Sequence, residues 1–152
     1  SGTGMFGDDL EKKTAILERV LEKHKKAKEP LDALAAFGGL EVATLTGAVI
    51  QAASERRVIV VDGFIASSAV LVASRLRPKV LDYCIFSHRS DEQGHSLMLD
   101  EMNAEPLFDL KLRLGEGSGA ALAWPLLMSA CTILREMASF EAAGVSRDDE
   151  SK

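Results

Sequence analysis

The feature that most constrains this chain is the short run Arg57-Val-Ile-Val-Val61, which is β-branched, apolar and uninterrupted. It ends at Asp62-Gly63 and passes straight into a helical pattern over residues 64–75. A run of this kind between turn residues predicts a strand buried on both faces, as in a parallel sheet covered by helices. The arrangement recurs twice. Tyr83-Cys-Ile-Phe86 ends in the polar segment 87–94 before a helical stretch over 96–102. A third candidate strand, 107–114, ends in Gly115-Glu-Gly-Ser-Gly119 before a helical segment over 120–142, with Pro125 in its early turns. Three strand–turn–helix units in succession predict an α/β fold with a mostly parallel sheet flanked by helices.

Helices dominate the first third. Asp8 and Asp9 can cap a helix whose apolar stripe includes Leu10, Leu17 and Leu21 and ends near His24. Pro30 opens a second helix over 31–37, which stops at Gly38-Gly39. Residues 41–56 are apolar on most sides, which predicts a largely buried third helix. No low-complexity linker divides the chain, so residues 1–146 read as one α/β domain and 147–152 as a polar tail.

Charge and composition remove several functions. A net charge of −5 and an aromatic content of 5% argue against a nucleic-acid surface. Cys84 and Cys131 lie in apolar runs and read as buried thiols of a reducing compartment. No charged-then-hydrophobic leader and no continuous apolar segment of about 20 residues is visible, which leads to an expectation of a cytoplasmic protein without membrane contact.

In open α/β sheets, ligands bind outside the carboxyl ends of the strands. That rule selects Asp62-Gly63, the loop 87–94 and the loop 115–119, with Arg89 and Arg113 close by. Gly-rich turns that lead into helices offer backbone N–H groups to phosphate, although the same glycines also serve simply to make tight turns. Glu116, between two glycines, is a candidate general base, or else a helix N-terminal carboxylate favoured by the dipole. Asp62 reads as an N-cap of the helix that follows it. His88 and His95 flank Asp91 and Glu92 without a metal-ligand spacing, so no metal is expected, and no cofactor is called for. Lys12 and Lys13 read as lying one helical turn after the Gly2-Thr3-Gly4 loop, where either can fold back towards an anion or simply remain solvated. The segment 57–68 is faintly similar to the ribose-phosphate loop of diphosphate-using phosphoribosyltransferases, but Gly63 stands where that loop has its second acidic residue.

Five motifs in order carry a more specific resemblance: Gly38–Gly47, Val61-Asp-Gly-Phe-Ile65, Ser87-His-Arg-Ser-Asp-Glu-Gln-Gly94, Glu105-Pro106 and Arg113-Leu-Gly-Glu-Gly-Ser-Gly-Ala-Ala-Leu122. Together they resemble the nicotinate-nucleotide–dimethylbenzimidazole phosphoribosyltransferases, over nearly the whole chain. The resemblance implies a Rossmann-like α/β fold, a homodimer, and phosphoribosyl transfer from nicotinate mononucleotide to 5,6-dimethylbenzimidazole. It implies Glu116 as the general base. It also implies substrate or phosphate contacts from Thr3, Gly4, Lys13, Ser90, Leu114, Gly115 and Gly117, with Asp62, Arg89 and Arg113 as further candidates. The family's chain is about twice as long, and the part absent here carries much of the pocket for the aromatic base. The sheet is therefore expected to be incomplete, and this chain alone inactive or nearly so. The alternative is a non-enzymatic α/β module that binds a nucleotide or pairs with a second subunit.

Overall fold

Where the apolar pattern switches from helical spacing to a continuous run, the backbone switches with it. The computed structural model describes residues 7–112, 114–139 and 142–144. Three helices come first: α1 (Asp8–Lys23), α2 (Pro30–Phe37) and α3 (Leu40–Ser54). Strand β1 (Ile59–Val61) leads into α4 (Gly63–Leu76). A 3-10 turn (Pro78–Tyr83) then feeds β2 (Cys84–Phe86) and β3 (His88–Ser90). Helix α5 (Gln93–Glu101), strand β4 (Phe108–Leu112) and helix α6 (Ser118–Glu136) complete the order.

Both strand pairs are parallel, β1 with β2 and β3 with β4. Ser87 joins them: its N–H donates to Val61 C=O at 2.9 Å and its C=O accepts from Phe108 N–H at 3.1 Å. The middle strand of the sequence reading is thus longer than its apolar run. It continues past Ser87 as β3, which sequence patterning assigned to a loop because His88-Arg-Ser90 is polar. The outer strands are shorter than expected, at 59–61 instead of 57–61 and 108–112 instead of 107–114. Pairing of β3 with β4 is irregular: His88 opposes Phe108 but Ser90 opposes Leu112. Lys111, at φ 56°, takes the left-handed conformation inside that irregularity.

The core lies between the sheet, α3 and α4. Val49, Val61, Val70, Phe86 and Leu99 form its centre. Helix α4 buries Ser67, Ala69, Val70 and Ala73, and such small residues let α3 approach closely enough for Thr46 Oγ1 to reach Ala69 C=O at 3.3 Å. Other expectations need correction. Helix α3 buries only Thr46, Val49 and Ala53, with Leu40 and Leu45 exposed, and α1 buries nothing. Among the described residues neither helix has a neighbour to cover its remaining apolar side. Cys84 is half-buried and Cys131 exposed, so they are not a pair of buried thiols. Helix α6 ends at Glu136, not near residue 142, and by length and composition alone is apolar enough to cross a bilayer. Its first turns are nevertheless built into the protein, with Gly119 and Ala123 buried.

Candidate functional site

The carboxyl ends of β1, β3 and β4 converge on an open cleft of about 380 Å³. Asp62, His88, Ser90 and the turn Gly115-Glu116-Gly117 line its polar side, and Leu45, Phe64 and Leu112 its apolar side. The turn consists of three consecutive left-handed residues, with φ values of 77°, 57° and 80°. Glycine adopts that conformation freely, whereas Glu116 is held in it against the steric preference of an L side chain. The turn leaves Glu116 exposed at the cleft mouth. Its carboxylate is therefore not enclosed by the described residues.

Asp62 occupies the residue before α4, but makes no side-chain cap there. Its carboxylate turns to the opposite helix: Oδ1 accepts from Ala120 N–H at 2.9 Å and Oδ2 from Gly117 N–H at 3.1 Å. These belong to the unpaired donors at the start of α6, whose positive end favours a carboxylate. The cap predicted for Asp62 on the helix that follows it is not made; the carboxylate caps instead a helix that begins more than fifty residues later. No local pattern signals such a cap.

Ser90 is fixed from behind. Its N–H donates to Nδ1 of His95 at 2.8 Å, while Nε2 of that ring is 2.9 Å from Ser67 Oγ. Because Nδ1 accepts, the neutral ring carries its proton on Nε2 and donates it to Ser67. Burial pushes the His95 pKa down to about 4, reinforced by the neighbouring His88 and Arg89 side chains and partly offset by Asp62. Sequence reasoning weighs His95 only for a metal site, which its spacing does not favour, and gives no sign of its support of Ser90. Among the described residues, no group of three or more His, Cys, Asp or Glu side chains is arranged to hold a metal.

Five of the sequence candidates thus meet in one cleft: Asp62, Ser90, Gly115, Glu116 and Gly117. Three do not. Lys13 lies on α1 and is not among the lining residues, and Leu114 is exposed outside them. Arg89 points away, donating to Ser96 Oγ at 2.9 Å with Asp109 at 3.9 Å. Thr3, Gly4 and Arg113 lie outside the described residues. The described lining contains two carboxylates and no Lys or Arg.

A protein-family model described as phosphoribosyltransferase matches residues 1–145. The chain belongs to this phosphoribosyltransferase family. One relative in the family, from Variovorax paradoxus, is 66% identical over 149 residues, covering 98% of this chain and 43% of its own. Another, from Cupriavidus necator, is 57% identical over 145 residues, covering 95% and 42%. Both are named nicotinate-nucleotide–dimethylbenzimidazole phosphoribosyltransferase. The crystal structure of CobT from Thermus thermophilus superposes with a TM-score of 0.87 at 37% identity, covering 97% of this chain and 44% of that one. A nicotinate-nucleotide–dimethylbenzimidazole phosphoribosyltransferase from the same organism gives 0.79 at 39% identity, covering 86% and 39%. The chain spans less than half the length of these phosphoribosyltransferase relatives, and the fold they share with it is the expected α/β arrangement.

Proposed function

We propose that the protein to which this chain contributes transfers a phosphoribosyl group from nicotinate mononucleotide to 5,6-dimethylbenzimidazole, with Glu116 as general base. The observation that carries the reading is Glu116 itself, a non-glycine residue held left-handed at the mouth of the cleft that Ser90 also lines. The names of relatives 66% and 57% identical to this chain supply the substrates.

The chemistry follows from the two rings. Glu116 takes the N–H proton of the benzimidazole while its other ring nitrogen attacks C1′. The bond from C1′ to nicotinate breaks as the new bond forms, and nicotinate leaves with the electron pair. Attack on the opposite face turns a β-nucleotide into an α-nucleotide, α-ribazole 5′-phosphate. General-base catalysis of this sort contributes about 10²–10⁴-fold, and positioning of the rings much of the rest. Ser90 is the phosphate contact that the described cleft provides. Lys13, Thr3 and Gly4 join it in this reading through the remainder of the longer protein, which would also supply the base pocket. A cytoplasmic homodimer belongs to the same reading, and the exposed apolar sides of α1 and α6 support the pairing.

The test is a chimera that joins this chain to the remainder of the Variovorax paradoxus relative, assayed chromatographically for α-ribazole phosphate. Glu116→Gln should lower kcat by about 10²–10⁴-fold. Full activity of that variant refutes the base assignment. Turnover by the 152-residue chain alone at the chimera's rate refutes the expectation that this portion is inactive.

A further inference from the structure

Little besides Asp62 holds the turn that carries Glu116. Positions where a Cβ would sit on Gly115 and Gly117 face open space, so among the described residues no side chain packs over the turn at those points. Within the turn, Ser118 N–H donates to Gly115 C=O at 3.1 Å. Helix α6 has no side-chain cap of its own, because its N-cap residue is Gly117. The cap comes from Asp62, which binds the N–H groups of Gly117 and Ala120 with its two oxygens.

Asp62 accepts from Ser87 Oγ at 3.4 Å and lies beside a buried histidine. His88 is 3% exposed, and neither ring nitrogen has a hydrogen-bond partner among the described residues. Its Nε2 lies 3.5 Å from Asp62 Oδ1. Two glycines make room for the ring. A Cβ on Gly63 would lie 3.1 Å from Nε2, and one on Gly119 would lie 2.0 Å from Cδ2. The imidazole is therefore wedged between the end of β1 and the first turn of α6, and sets how closely the two approach.

We propose that Asp62 and His88 are positioning residues for Glu116, locking the start of α6 against the end of β1 so that the left-handed turn presents its carboxylate in one orientation. The inference rests on the assignment of Glu116 as general base, and extends it to groups that need not touch substrate. If Asp62 acts only through Glu116, its loss matters while Glu116 is present and ceases to matter once Glu116 is gone. A residue that merely stabilises the fold would lower activity in both backgrounds.

The experiment uses the same chimera. Asp62→Asn keeps the shape but removes the charge and one of the two acceptors. It should lower kcat about tenfold or more with KM for nicotinate mononucleotide nearly unchanged, and lower the residual rate of Glu116→Gln no further. His88→Gln should shift kcat in the same direction and serves if Asp62→Asn folds poorly. Amide hydrogen exchange gives a readout without turnover: Gly117 and Ala120 should exchange about tenfold faster or more in Asp62→Asn, with Met128 and Thr132, farther along α6, unchanged. Wild-type kcat in both variants, an equal further loss in the Glu116→Gln background, or wild-type exchange at Gly117 and Ala120 overturns the proposal. Full activity of Glu116→Gln defeats the base assignment alone, and the exchange rates then still decide whether Asp62 sets the turn.

Discussion

Acid should loosen this protein through His95 before its carboxylates are exhausted. The ring is 1% exposed and is committed at both nitrogens, accepting from Ser90 N–H and facing Ser67 Oγ. Protonating Nδ1 abolishes its acceptor role, leaves the Ser90 amide unpaired and buries a charge. A folded value of about 4 against about 6.5 in the unfolded chain gives the sign. The depressed histidine costs nothing above about pH 6.5, where both states are neutral. As pH falls, the unfolded state takes up the proton first, so stability drops until the folded ring also protonates near 4. The loss is about 1.4 kcal/mol at about pH 5.5, and about 3.4 kcal/mol at most. Urea denaturation at intervals between about pH 7.5 and 4.5 measures it, with His95→Asn as the reference that retains an acceptor but does not titrate. The difference in slope between wild type and variant should approach one proton in the middle of that range. Parallel pH profiles would refute the argument, since the carboxylates titrate equally in both.

Other consequences are simpler to measure. Leu99 is fully buried at the centre of the core, so Leu99→Ala should cost about 2–5 kcal/mol in urea denaturation, with the spread set by how far the site collapses. Gly119→Ala would place a Cβ 2.0 Å from His88 Cδ2 and 2.5 Å from Asp62 Oδ1. The ring and the carboxylate would have to shift, so thermal unfolding should show a loss of about 1–3 kcal/mol or more. Burial raises the Cys84 thiol pKa to about 11, and its Sγ lies 3.3 Å from Val80 C=O. At mildly alkaline pH an alkylating reagent should therefore modify the exposed Cys131 well before Cys84, as read by peptide mass mapping.

The parts of the fold that were legible are those governed by local pattern. The β-branched run before Asp62, the helix start at Pro30 and the Gly-rich turn before α6 each announce themselves within a few residues. The strand end at Asp62-Gly63 and the loop at 115–117 were enough to locate the cleft. What escaped depends on pairing across distance. His88-Arg-Ser90 forms a strand only because β4 lies beside it, and nothing in its polar sequence says so. Asp62 was expected to cap its neighbouring helix, but the free amides of α6 lie within reach of both oxygens. The apolar sides of α1 and α3 promised burial that the described residues do not provide. Periodicity reports which face seeks cover, not whether the cover lies within the same stretch of chain.

The left-handed conformation of Glu116 has a consequence for any attempt to make this protein sturdier. An L side chain in that region costs about 1 kcal/mol or more relative to glycine, and asparagine is tolerated there better than glutamate. A selection for thermal resistance alone would therefore favour Gly or Asn at this position, since the side chain is exposed and removing it opens no cavity. The gain in melting temperature would come from deleting the carboxylate at the cleft mouth. At residue 116, heat tolerance and the proposed chemistry pull in opposite directions.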